Sequence, residues 1–305
     1  MNQFRWRSVL SKVSLVAWFL ITGAPVNSVW AGGHELLNER TAEQQELASR
    51  FETFIDRMEE KYFTRMDKLN GTSTYEDKYI TTDYGEWDMR VTRGPVIQKG
   101  GRMLGMVTKT VPNPMQPADV GWGRFYSFDI HPKTPLVGQI HAVIVLQLYE
   151  NGESHALGWL GVMPGTRVPE DIDYLKKTMD EVFAKYNKDS SLYRHLICKG
   201  TEETIAEFRR KPACVGASFY GPQVYRKSAS KSLDFIMDAY ESFTDAYFDT
   251  IELRQDDPVT EADIVAQKRM RKEWLVDQLF SDPYASDSVP FAVWSFGNLG
   301  PEVHF

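Results

Sequence analysis

Two histidines, His131 and His141, stand ten residues apart in FDIHPKTPLVGQIHAVIVLQL, on either side of a turn bounded by Pro132 and Pro135. Imidazole titrates near neutrality, so two such rings in one pocket could move protons or hold a metal ion. Pro132 pushes the backbone of His131 toward an extended conformation at the end of the strand-like run RFYSFDI. His141 lies at the start of the apolar run IHAVIVLQLY. Strands joined by this turn could bring both rings into one site. Two histidines alone do not define a metal site, which usually has three or four ligands. One packed and one exposed histidine would fit the same spacing. His34, His155, His195 and His304 are isolated in sequence and carry no motif.

A second feature lies upstream. Between Met89 and Arg124 the chain carries Arg90, Arg93, Lys99, Arg102, Lys109 and Arg124 against the single acid Asp119, in a protein of formal net charge −7. Residues of one parity on a strand share a face, so several of these cations could converge on an anionic ligand; the solvated face of an antiparallel sheet is the alternative. Pro112, Pro114 and Pro117 stiffen the following loop, and Trp122, Phe125 and Tyr126 come next. Cations beside aromatics suit a flat ligand with carboxylates, whereas aromatics in strands also build cores. There is no GxSxG elbow, no GxxxxGK[ST] phosphate loop and no GxGxxG after a strand. GGRMLG, from Gly100 to Gly105, reads as a hairpin turn opening a strand.

The elements that would position these groups follow from periodicity. TAEQQELASRFETFIDRMEEKYF, from Thr41, reads as a helix: Thr41 and Gln44 make a capping box, and Leu47, Phe51, Phe54, Ile55 and Met58 recur at helical spacing. From Tyr84 to Met163 short apolar or alternating runs are split by Gly, Pro and Asn, as in consecutive strands. Helical patterns return over Pro169–Tyr186, Thr201–Arg210, Ser230–Leu253 and Thr260–Phe280, with two short strands at Cys214–Tyr220 and Phe291–Phe296. Consecutive strands bracketed by helices predict an α+β fold with a large, mostly antiparallel sheet flanked by helices, because parallel strands need a crossover between them.

Residues 1–31 read as a signal peptide. Arg5, Arg7 and Lys12 precede the apolar run VSLVAWFLI, and Val29 and Ala31 occupy small-residue cleavage positions. A retained anchor is the rival reading. The expectation is a single domain over 32–305, exported to the periplasm or secreted, with no membrane span after cleavage. Without the leader's three basic residues the net charge is −10, which argues against nucleic acid or an anionic membrane as partner. The only cysteines, Cys198 and Cys214, could be bridged in an oxidising compartment or be two buried thiols.

Taken together, these segments resemble the oxygen-dependent coproporphyrinogen III oxidase family. The likeness is densest in SFDIHPKTPLVGQIHA, through Ser127, His131-Pro132, Pro135 and His141. It extends through EWDMRVTR, GGRMLGMVTKTV, GWLG at Gly158–Gly161, YRHLIC, CVGASFYG, TDAYFDTIELR and PFAVWSFGN. The resemblance implies a homodimer that converts porphyrinogen propionates to vinyls with oxygen and no organic cofactor, some members being described with a divalent metal. It implies that His141 donates a proton at the substrate, that Ser127 touches substrate and that His131 and His141 form part of a metal pair. Arg90, Arg102 and Arg124 would then meet the carboxylates of a tetrapyrrole-like anionic ligand.

The chain also departs from the family pattern. Val143 and Val145 stand where the family has an asparagine and a carboxylate-binding arginine, and Gly165 where it has an aspartate. Lys176 and Phe208 replace the other two metal histidines, and GPQ from Gly221 replaces a double aspartate. These departures leave open an active oxidase, a non-enzymatic binder of a flat anionic ligand, and a structural or partner-binding protein on the same fold.

Overall fold

The computed structural model describes residues 31–112, 118–199, 211–220, 228–280 and 289–301. Seven strands form one antiparallel sheet ordered as they occur in the chain. They are β1 (Tyr75–Thr81), β2 (Gly85–Thr92), β3 (Ile97–Val107), β4 (Val120–Pro132), β5 (Gln139–Tyr149), β6 (Ser154–Met163) and β7 (Ala217–Ser218). Helices α1 (Ala31–Asn38) and α2 (Ala42–Asn70) precede the sheet, and α3 (Pro169–Lys185) and α4 (Ser190–Lys199) separate β6 from β7. The chain continues through α5 (Ala229–Arg254), α6 (Glu261–Phe280) and α7 (Phe291–Gly297). The fold is therefore the α+β arrangement expected.

Strands β4 and β5 are buried on both faces, which is why they read as nearly continuous apolar runs. On one face Trp122, Tyr126, Phe128 and Ile130 of β4 join Ile140, Ala142, Ile144 and Leu146 of β5 in the main core under α2 and α5. Tyr62 of α2 stacks on Phe248 of α5 with ring centroids 5.3 Å apart. The alternate residues Ser127, Asp129 and His131 of β4, with His141, Val143 and Val145 of β5, face the opposite side. Helices α6 and α7 pack there: Trp294 joins Trp87, Met89 and Met103, and Trp274 joins Met163 and Met270.

Local chemistry fixes the ends of α2. The Gln44 amide donates to Thr41 Oγ1 at 3.2 Å and the Thr41 amide to Gln44 Oε1 at 3.1 Å, realising the capping box. The Gln44 side chain also donates to the Tyr149 and Glu153 carbonyls, tying the helix start to the β5–β6 hairpin. Gly71 ends the helix at φ 65°, a left-handed conformation that costs glycine little.

Four expectations need correction or completion. GGRMLG is the interior of β3, not a turn: Gly100 and Gly101 pair with Thr92 and Val91 on one side and Ile130 and Asp129 on the other. Phe291–Phe296 is helical, because Val293, Trp294 and Phe296 cover the sheet from outside instead of joining its ladder. Strand β1, polar and mostly exposed at the sheet edge, carries no apolar alternation and escaped the periodicity argument. Helix α4 was also not expected; Cys198 at its end is bridged to Cys214, with Cα atoms 4.9 Å apart. The helix expected over Thr201–Arg210 lies outside the described residues.

Candidate active site

Register brings a carboxylate to His141. Asp129 is its direct partner in the β4–β5 ladder, and His141 Nδ1 lies 2.7 Å from Asp129 Oδ1. The other carboxylate oxygen accepts from Ser127 Oγ at 2.9 Å and from Asn298 Nδ2 at 2.8 Å. Asn298, just past α7, is oriented by the Trp274 indole, which donates to its Oδ1 at 3.0 Å. Asp129 is fully buried. Burial pushes its carboxyl above the ordinary carboxylate range, while His141, Ser127 and Lys99 act to hold it charged. The His141 side chain is 11% exposed and sits beside the rings of Trp274 and Trp294, with centroids 5.2 and 5.9 Å away.

His131 lies on the same face and is also tied to Asn298. Its Nε2 donates to the Asn298 carbonyl at 2.8 Å. Burial, aided by Lys99, Arg271 and Arg93, pushes its pKa well below the ordinary imidazole value, so the ring is neutral. Lys99, opposite His131 in the β3–β4 ladder, donates to the Leu299 carbonyl at 2.6 Å. Burial and Arg93 lower its pKa to about 8. Arg271 of α6 donates to the Pro132 carbonyl at 3.1 Å and to Gln98 at 2.9 Å. Asn298 and Leu299 thus accept from both His131 and Lys99 while Asn298 donates to Asp129.

The three arginines expected to meet a ligand do share a face, but it is the face under α2. Arg102 is 3% exposed and meets Glu59 at 2.9 Å and Asp88 at 3.0 Å. Arg124 meets Glu52 at 3.1 Å and lies over the Trp122 ring at 4.5 Å. Arg90 bonds Asp77 at 2.7 Å and stacks over Phe63 and Tyr75. Parity separates them from His141: Arg102 pairs in register with Phe128 and Arg124 with Leu146, both core residues. Sheet spacing correctly groups the arginines together, and the helix carboxylates neutralise them. Ser127, by contrast, lies on the face of His141 and reaches it through Asp129.

The coproporphyrinogen III oxidase family model matches residues 50–282, most of the chain and all of the sheet. The chain belongs to the coproporphyrinogen III oxidase family. No curated protein matches it. Within this family framework, the departures acquire a structural meaning. Val143 and Val145 are on the face of His141 and are 3% and 8% exposed, so the wall beside the imidazole is apolar. A side chain at Gly165 would lie 2.8 Å from backbone atoms of Ala266 and Gln267, so α6 occupies the space an aspartate there would need.

In the metal pair that the resemblance implies, His141 Nδ1 is engaged by Asp129 and His131 Nε2 by a carbonyl, which leaves His141 Nε2 and His131 Nδ1 as the nitrogens to face an ion. Lys176 is half exposed on α3 and bonded to Asp180; Phe208 lies outside the described residues. Among the described residues no three His, Cys, Asp or Glu side chains are grouped as metal ligands.

Asp129 and Asn298 were missed as site residues. The signal for Asp129 was available: it is the one acid inside the apolar run RFYSFDI, and a buried carboxylate must have partners. Asn298 carried no such signal, because its role depends on where α7 ends against the sheet.

Proposed function

We propose that the protein acts on a porphyrinogen-type substrate at His141, removing propionate carboxylate oxidatively, with Asp129 as the group that carries the imidazole through its proton transfers. The observation behind this reading is the Asp129–His141 contact, buried at Asp129 and opening to solvent only at the imidazole. In balanced form, a propionate and O2 with one proton give a vinyl group, CO2 and hydrogen peroxide; the substrate supplies the two electrons that oxygen takes up. An imidazole whose Nδ1 is engaged has Nε2 left to transfer that proton. The expected setting is an exported homodimer using no organic cofactor.

The non-enzymatic reading has one specific observation in its favour. Arg90, Arg102 and Arg124 are paired with carboxylates on the face under α2 and the wall at Val143 and Val145 is apolar, so these three arginines do not face His141 to meet a ligand's carboxylates. Aerobic incubation with coproporphyrinogen III, followed by chromatography and mass spectrometry, tests the enzymatic reading. Loss of CO2 and two hydrogens per propionate, abolished in His141→Ala, supports it. No mass change overturns it, and co-migration of unchanged porphyrin with the protein then selects a binder over a scaffold.

A further inference from the structure

We infer that Asp129 and Asn298 act together as positioning residues that fix the tautomer of His141, leaving Nε2 as the nitrogen that meets a reacting group. The inference deepens the proposed acid–base role of His141 and rests on it for its consequence in turnover, but the tautomer itself is a property of the folded protein.

The argument begins at Trp274. An indole N–H can only donate, so the Asn298 atom it meets at 3.0 Å must be the amide oxygen. The amide nitrogen of Asn298 therefore points at Asp129 Oδ2, 2.8 Å away. Ser127 Oγ donates to that same oxygen from 2.9 Å. With Oδ2 saturated by two donors, Oδ1 is the acceptor for His141 Nδ1 at 2.7 Å, which places the ring proton on Nδ1. Asn298 Nδ2 is also 3.4 Å from His141 Nδ1, but with the proton on Nδ1 both nitrogens are donors, so the amide acts on the ring only through its shorter bond to Asp129 Oδ2. The other charged or titratable groups packed here are Lys99 of β3, His131 of β4 and Arg271 of α6. Each has its own acceptor, in Leu299, Asn298, and Pro132 with Gln98 respectively. None of those bonds reaches the His141 ring.

The arrangement makes an unusual demand on an isosteric change. In Asp129→Asn the oxygen of the new amide must face Asn298 Nδ2, because Trp274 holds Asn298 in one orientation. Its NH2 then faces His141 Nδ1 as a donor, and the neutral ring can bond it only with the proton moved to Nε2. The substitution should reverse the tautomer, not merely weaken a contact.

Nitrogen NMR of the full protein labelled with 15N-histidine reads this directly, at a pH where the ring is neutral, with His141→Gln identifying the signal. The expected wild-type spectrum has a protonated Nδ1 and an unprotonated Nε2, and Asp129→Asn exchanges the two. Adding Ser127→Ala and Asn298→Ala to Asp129→Asn frees the new amide to rotate and abolishes the exchange. A wild-type ring protonated at Nε2 overturns the inference, even if the variant does not fold. So does a folded Asp129→Asn protein that keeps the wild-type tautomer. If turnover is present, Asp129→Asn lowers kcat on the order of 10^2- to 10^4-fold with little change in KM. Expected spectra in a protein that leaves coproporphyrinogen III unchanged would uphold the positioning and sink the substrate assignment instead.

Discussion

The Gly297 carbonyl lies against the Cα of Gly101, in the space that any side chain at 101 would fill. Gly101 is the register partner of Asp129, so this approach delivers the next residue, Asn298, to the carboxylate. Gly101→Ala should push the end of α7 off the sheet. Overpacking of this kind costs about 1–3 kcal/mol. The expected result is a lower thermal midpoint together with loss of the Asn298 bonds to Asp129 and His131, read as changed His131 and His141 resonances. An unchanged midpoint would mean that α7 is not seated by this glycine pair.

The arginines under α2 should behave as structure. Arg124 is almost wholly buried beside the half-buried Glu52, so removing the arginine leaves that carboxylate without its partner against the sheet. Arg124→Met should unfold at markedly lower denaturant concentration than wild type. Arg124→Met with Glu52→Met should recover most of that loss, since two apolar groups then replace the pair. If turnover is present, the double variant should keep the wild-type KM; a large rise in KM would restore Arg124 as a substrate contact.

These two cases mark where sequence reasoning holds and where it stops. Apolar patterning located α2, α3 and α5 by a stripe on one face and β4 and β5 by nearly continuous apolar runs, with turn residues marking off the rest of the β2–β6 meander. The spacing of His131 and His141 left open one site or one packed and one exposed ring, and the structure puts both on one face, at alternating positions beside one turn. Which face the arginines took was not legible: parity relates residues within a strand but does not say which helix covers them. The acceptors Glu52 and Glu59 lie in α2, far away in the chain. Asn298 was hidden for a similar reason. The run FAVWSF has the aromatic content of a strand, and only its packing over Met89 and Met103 makes it a helix whose end reaches Asp129.

The Cys198–Cys214 bridge closes a short loop between α4 and the segment entering β7. Loop-closure entropy for such a length corresponds to about 3 kcal/mol. Thermal unfolding with and without reductant should show a clear drop in midpoint on reduction, and Cys198→Ser with Cys214→Ser should match the reduced protein. Identical midpoints would show that the bridge contributes no net stability.

Acid and alkaline stability should separate two buried bases on the face of α6 and α7. His131 has a folded-state pKa well below its ordinary 6.5. Below that value the unfolded chain takes up a proton that the native ring refuses, so stability is full above about pH 6.5 and falls as pH drops toward the folded pKa. Lys99 is displaced the same way, from 10.5 to about 8. Between those values the unfolded chain again binds more protons, so Lys99 makes stability rise with pH from about 8 to 10.5. Denaturant unfolding across pH should therefore show both slopes. His131→Gln keeps a donor for the Asn298 carbonyl and should flatten only the acid limb; Lys99→Met should flatten only the alkaline one. An acid limb unchanged in a folded His131→Gln protein would mean that His131 is not buried as a neutral ring.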